Sequence, residues 1–591
     1  MDSSKKMLNF LNNVISPFLF GLNVTISRKS HLNSITKQSK TIKMKKLLFF
    51  TAFIMVMISY AQNNLTSQQW QEDLKFLQET VHKDYSTLFV KTTPEAFNAE
   101  VAKLHRAIPN LQDHEIVVGI ARIVSSFKYG HTDISFRQDP FTFSQLPFNL
   151  YHFNDGVYIQ GTHKNYKNAL GAKVIAIESS SIDEALKAIY PVVPVENEQY
   201  FKAFGLNYLK FPEVLHAQRI TSTLKSSIEL TLEKDGKTFK QIFNALPKGE
   251  RVPVSYSLVK ENEDWLEARN QRVTPNYLKN LDKIYYYEYL ADEKTVYIRH
   301  SQIQDDPSEA IPEFYNRVFD FIDKNEVDKL VIDVRLNGGG NNYKNKPIIT
   351  GIIKSENINK VGKLFVILGR RTFSACQNLV NEMSNYTNAV FVGEPTSENI
   401  NFFGDNRTVA LPNSKIPTFL SFAWWQDKPQ WEGADWLAPH LAVDMSFEEY
   451  KTNKDPVLQA ALDFSDDNYV LNPMQYITQL FTTGQVDKLK TEAARMVKDP
   501  MYKFFDFEGQ FNKAGYNVLG SGQTKEAIFV FQMVANLFPD SANAWDSLAE
   551  GYLKAGDKAK AIEYYNKAIA LDPDGPTGKN AKAMLNKMNH N

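Results

Sequence analysis

One cysteine, Cys376, serves a chain of 591 residues. No intrachain disulfide can form, and no cysteine is placed to carry a lipid anchor at a processed N-terminus. Charge of one sign is lacking too, because 67 Lys and Arg offset 67 Asp and Glu. The chain therefore has no basic excess to neutralise phosphates, and nucleic acid is not an expected partner. The histidines fall in no HExxH or other zinc-ligand spacing, so neither a metal nor another cofactor is called for. The apolar run Leu47 to Ile58 is shorter than the roughly 20 residues that span a bilayer, which favours a secretory signal over the alternative of a membrane anchor.

With 43% hydrophobic and 23% charged residues the chain is ordinary globular material, and its length calls for several cores. Met44, Lys45 and Lys46 precede the apolar run, and Ser59-Tyr60-Ala61 follows it. A basic start, a short hydrophobic stretch and small residues at −3 and −1 are the order of a secretory signal, with cleavage after Ala61. Residues 1–61 are thus read as a leader with its signal at 44–61. The mature protein is expected to be periplasmic or secreted, with no stable membrane span.

Residues 62–146 read as a helical cap, with Leu74, Leu77, Val81, Ile116, Ile120, Ile123 and Val124 spaced by threes and fours. Residues 147–250 change to short strand-like runs around Gly156–Ile159, Ala172–Ile177 and Ile228–Leu232. Within them, Leu170–Ile177 followed by Ile182-Asp183-Glu184-Ala185 resembles the strand-turn-helix portion of PDZ domains. Residues 251–465 alternate apolar strands (Val296–Ile298, Leu330–Val334, Leu364–Leu368) with amphipathic helices, the pattern of an α/β sheet covered by helices. Residues 466–591 are helical. In them Gly522, Ala527 and Pro539 recur 34 positions later as Gly556, Ala561 and Pro573, the period of tetratricopeptide helix pairs. Such a tail is either a surface for a protein partner or a structural cap docked on the preceding helices.

Two local patterns could carry chemistry. A buried strand opens into Gly338-Gly339-Gly340, where positive φ would let backbone N–H groups approach a bound anion; read alone, it is equally an ordinary turn. About thirty residues on, a second strand leads through Arg370-Arg371-Thr372-Phe373 into Ser374 and a helix. A hydroxyl at a helix N-terminus feels the positive end of the dipole; read alone, Ser374 is equally a helix cap. Cys376, inside that helix, reads as a small buried residue.

Taken together, Asp333-Val334-Arg335-Leu336-Asn337-Gly338-Gly339-Gly340, Thr372-Phe373-Ser374-Ala375 and Val392-Gly393-Glu394-Pro395-Thr396 resemble the tail-specific, or C-terminal processing, serine peptidases over roughly residues 67–465. The resemblance implies a crotonase-like (ClpP/crotonase) α/β core with Ser374 as nucleophile. Many members place a lysine base about two dozen residues after the serine. Here that stretch is Ser397-Glu398-Asn399-Ile400-Asn401, without lysine. A branch resembling the tricorn protease core uses histidine and glutamate instead. Its pattern implies His131, in Tyr129-Gly130-His131-Thr132, as base, and Glu432, in Trp431-Glu432-Gly433, as the carboxylate that orients it. The N–H groups of Gly339 and Ala375 are the implied oxyanion hole. That branch often carries a second serine before the histidine, where this chain has Gly130. The implied activity is hydrolysis of an extended polypeptide through an acyl-enzyme. The alternatives are a non-catalytic binding protein of the same fold, and an esterase or amidase for small substrates.

Overall fold

The structure is a computed structural model and describes residues 65–465 and 469–590. The leader and its signal, residues 1–61, lie outside the described residues. No helix among the described residues is long and apolar enough to cross a membrane.

A six-stranded sheet organises the centre, in the order Tyr285–Leu290, Thr295–His300, Lys329–Asp333, Leu364–Leu368, Val390–Gly393 and Leu441–Ala442. The first pair is antiparallel and every later pair parallel. Its strands lack polar alternation because both faces are covered, as parallel sheets require. On one face Val296, Ile298, Leu330, Ile332, Val366 and Leu368 share a core with Phe314, Val318, Ile348, Ile352, Leu379 and Met383 of three helices. On the other, Tyr297, Val331, Phe365, Ile367, Val392 and Leu441 share one with residues of the helical tail, from Leu480 through Tyr502 and Phe531 to Leu548. The helix Pro456–Leu462, which precedes the tail, also joins this core, so that helix and the docked tail together cover the second face. At about 1.5–3 kcal/mol for each large side chain buried, this face depends on its cover.

A second, seven-stranded sheet has the order Trp265–Glu267, Gly156–His163, Lys173–Ile177, Ser227–Lys234 and Lys237–Asn244, with Phe148–Phe153 and Ser180–Ser181 paired at its side. The strand-turn-helix expected here is present: Ile182–Ile189 is a helix whose N-cap Ser181 and N3 Glu184 form a reciprocal capping box. Two differences stand out. The helices Glu198–Phe204 and Pro212–Ala217 follow before the next strand, and Trp265–Glu267 carries the module beyond residue 250.

The cap is three helices, Ser67–Asp84, Pro94–Ala107 and Asp113–Ser125. Its helices end before Asp133–Ile134, which is extended and pairs with Pro417–Trp425. That strand forms a hairpin with Phe402–Ala410, and the hairpin sends Phe403, Leu411, Ile416 and Leu420 into the core shared by the cap and the second sheet. A long arm of the central domain thereby grips the segment that carries His131.

Candidate active site

Ser374 stands between the strand Leu364–Leu368 and the helix Ala375–Tyr386. Its φ of 57° and ψ of −129° lie in a region that costs an L-residue about 1–3 kcal/mol, so its surroundings must hold it there. Several contacts do. Its carbonyl accepts from the Gln377 N–H at 2.7 Å, and the Phe373 N–H donates to Asn337 O at 3.2 Å. Its own N–H donates to Glu398 Oε2. The glycine loop packs directly on it: a Cβ on Gly339 would lie 2.5 Å from Ser374 Cβ and 2.9 Å from Ala375 N, and Gly339 has φ +98°. Only glycine fits there.

The side chains around the loop brace it mechanically. Arg335 bridges Asp333 and Asp455, each at 2.9 Å. Asn337 donates to His300 O at 3.0 Å while its Oδ1 accepts the Gly339 N–H at 2.9 Å. Thr372 Oγ1 donates to Val334 O at 3.1 Å, tying the serine turn to the loop strand. Glu394 is engaged by Arg370, and Thr396 Oγ1 accepts from Leu437 N at 3.0 Å.

His131 comes from the cap, 243 positions earlier, and places Nε2 3.0 Å from Ser374 Oγ. Its backbone is fixed by the hairpin, since Asn406 Nδ2 donates to His131 O at 3.0 Å and Thr132 Oγ1 pairs with Ser421 Oγ at 2.9 Å. The ring stacks on Phe373 with centroids 4.7 Å apart and planes 16° apart. Gly130, where the related pattern would carry a serine, has no room for any side chain: a Cβ would meet Tyr200 Cε2 at 2.3 Å and Phe373 Cζ at 2.9 Å.

The carboxylate beside the histidine is not the one expected. Glu432 lies exposed and bonds Gln426. Glu398, fully buried, instead sets Oε1 3.1 Å from His131 Nδ1. The contact is short but not aligned as a hydrogen bond, and neither atom has another partner among the described residues. Catalytic contacts of this kind are often loose without substrate. Glu398 follows Ser374 by 24 positions, in the stretch where the pattern resembled in the sequence would place a lysine. A carboxylate in that stretch is the signal the sequence carries for this position.

Glu196 was missed entirely, since its segment lies among the short helices inserted in the second sheet. It is buried, accepts the Gly130 N–H at 2.7 Å and the Asn399 N–H at 3.1 Å, and so staples the backbone beside His131 to the backbone beside Glu398. His131, Glu196 and Glu398 offer ligand atoms within 4.8 Å of one another. Three of the four carboxylate oxygens accept backbone N–H groups, so both side chains are fixed in place by the backbone.

Burial pushes the Glu196 carboxyl up to about 7, helped by Glu398 and opposed by the Lys91 ammonium. Burial also raises Glu398 well above the usual carboxylate range, against the Ser374 N–H and Lys91. For His131, burial lowers the imidazole, and Glu196, Asp405 and Asp133 pull it back. The ring is thereby kept neutral. Nδ1–H toward Glu398 leaves the Nε2 lone pair for the serine hydroxyl.

Of the two expected oxyanion donors, the Ala375 N–H opens the helix and has no acceptor among the described residues. The Gly339 N–H is turned onto Asn337 Oδ1, whereas Gly338, exposed beside it, has no such acceptor. Cys376 is buried with its thiol pushed far up by desolvation, and is not a nucleophile.

The family model for the tetratricopeptide repeat matches residues 542–574. No curated protein is matched. Among solved structures, mature CPAF overlaps with a TM-score of 0.41 at 11% identity, over 67% of this chain and 96% of that one. The photosystem II D1 C-terminal processing protease overlaps with a TM-score of 0.31 at 12% identity, over 64% and 93%. The tricorn protease does so with a TM-score of 0.32 at 14% identity, over 67% of this chain and 36% of that one. Superpositions this loose carry no chemistry across, and the site stands on its own distances.

Proposed function

We propose that the protein is an exported serine peptidase that cleaves extended polypeptide through an acyl-enzyme on Ser374. The observation that carries this reading is the contact of Ser374 Oγ with His131 Nε2 at 3.0 Å, made by a serine held at positive φ and backed by a buried glutamate on the other ring nitrogen. A serine hydroxyl is a weak nucleophile until a base takes its proton.

In this reading Oγ attacks the scissile carbonyl carbon while its proton passes to His131 Nε2. The imidazolium is stabilised by Glu398, which fixes the tautomer in place of Glu432. The oxyanion faces the Ala375 N–H and the Gly338–Gly339 turn, where preorganised donors favour the charge that develops in the transition state. Collapse breaks the C–N bond, and the amine leaves with the proton from Nε2. Water then repeats the sequence on the ester. The second sheet is assigned the holding of substrate, by strand addition as PDZ-like modules do, and the repeat tail a protein partner. Export rests on the order of residues at 44–61.

The test is labelling of the chain from Gln62 onward by a fluorophosphonate, with casein degradation followed in parallel. Labelling and cleavage are expected in the wild type and lost in Ser374→Ala and His131→Ala. A folded wild type that neither labels nor cleaves refutes the reading and favours a binding protein; turnover of short acyl esters without casein cleavage favours the esterase.

A further inference from the structure

Two consecutive arginines lead into the nucleophile, and the protein treats them differently. Arg370 spends its Nε–Nη2 edge on both oxygens of Glu394 and its Nη1 on His152 O. Arg371 donates only from Nη1, to Ser257 Oγ at 2.6 Å. Its Nε is buried without a partner among the described residues, and its Nη2 has no acceptor there either. No carboxylate among those residues pairs with it, although its guanidinium is held over the Phe204 ring at 5.3 Å.

Burial depresses the Arg371 guanidinium, and only the phenols of Tyr151 and Tyr256 oppose the effect. Arg371 is half-buried with its Nε shut off from solvent, and a cation so placed without a counter-charge favours a carboxylate brought from outside. Of the Nε–Nη2 edge left unspent, Nε is closed to solvent, so Nη2 is the donor open to an incoming carboxylate.

The edge also lies in a useful place. Arg371 lines a cavity of about 70 Å³ between the second sheet and the catalytic core, with Tyr151, Tyr256 and Leu336. The acidic groups on its wall are already committed, Glu394 to Arg370 and Asp444 to Lys503. A Cβ on Gly338 would lie 3.9 Å from Arg371 Nη2, while the next glycine packs on Ser374. A carboxylate on this edge would therefore sit under the loop that faces the scissile carbonyl.

We propose that Arg371, anchored by Ser257, is a substrate-binding residue that takes a carboxylate of the polypeptide, so that the preferred substrates are acidic close to the scissile bond. The proposal rests on the peptidase reading and narrows it to a substrate class. The carboxylate can come from an Asp or Glu side chain or from the chain's own C-terminus.

The experiment maps a casein cleavage site and remakes that peptide in matched pairs. One arm exchanges Glu for Gln at the two positions on either side of the cut; the other exchanges a free C-terminus for an amide. Wild type is expected to favour the carboxylate member of at least one pair by about 10- to 100-fold in kcat/KM, because a site built for a polar group discriminates against analogues lacking it. The arm that shows the preference identifies the source. In Arg371→Gln the ratio should fall to about one. In Ser257→Ala, which keeps the charge but removes its anchor, the ratio should fall several-fold. Equal cleavage of all pairs by wild type, or an undiminished preference in Arg371→Gln, overturns the subsite while leaving the peptidase reading intact. Absence of fluorophosphonate labelling and of all cleavage overturns both.

Discussion

Glu398 and Glu432 illustrate what a motif can and cannot locate. Both follow Ser374 in the chain, but only Glu398 is buried against His131 Nδ1, while Glu432 faces solvent. Ser374 and His131 are named by the resemblance of two short segments to a peptidase pattern, and the structure brings their side chains to 3.0 Å. The partner carboxylate could not be read in this way, because its place depends on how a turn after Val390–Gly393 folds back beneath the serine. Substituting Glu398→Gln preserves an acceptor for the Ser374 N–H but presents the wrong group to Nδ1, and should lower kcat by about 10³- to 10⁴-fold. Glu432→Gln should stay within about twofold of wild type. The reverse ranking in steady-state assays would restore the original assignment. The pH profile tests the same site. The imidazole must be neutral to act, and burial holds its pKa below the ordinary value. The base therefore survives as pH falls, and the acid limb of kcat/KM should lie below the ordinary histidine value of about 6.5. A limb lying above that value would mean that the neighbouring carboxylates outweigh desolvation.

At the scale of elements, the histidine is delivered by pairing across the chain. Asp133–Ile134 adds to the hairpin Phe402–Ala410 and Pro417–Trp425, and the short helix Glu198–Phe204 presses Tyr200 against Gly130. None of this pairing was visible in periodicity, which reports which face of an element is buried but not what buries it. The sheet and its helices were legible for the opposite reason, since strands such as Leu364–Leu368 are apolar at every position. Gly130→Ser is informative here because the related pattern tolerates serine and this packing does not. The added Cβ would lie 2.3 Å from a Tyr200 ring carbon and 2.9 Å from Phe373, which should cost about 1–3 kcal/mol. It should also move His131 off Ser374. Chemical denaturation and fluorophosphonate labelling measure the two effects separately, and a variant as stable and as reactive as wild type would show that the insertion yields without resistance.

On the scale of the whole molecule the question is whether the helical tail is an accessory or a wall. The 34-residue period identified the repeats but left open what they rest on. The structure answers through aromatic contacts. Phe464, which lies 5.4 Å from Phe365 of the central sheet, meets Tyr469 of the tail at 6.3 Å, and Trp436 meets Phe504 of the tail at 6.1 Å. Tyr469 also donates to His440 O beside the edge strand, and Lys503 pairs with Asp444 at 2.6 Å. Beyond these, the core runs on without interruption through Phe511, Phe531 and Trp545 to Ala581. Repeat units cannot bury their apolar faces alone, and the sheet face carrying Phe365 and Ile367 cannot be left to water. The two are therefore expected to unfold together. Calorimetry of the chain from Gln62 onward should show one cooperative transition in which core and tail melt as a unit. A chain ending at Ser465 should be poorly soluble or should melt well below the intact protein. Two resolved transitions, or a truncated core that keeps the full melting temperature, would instead make the tail an independent module tethered to the enzyme.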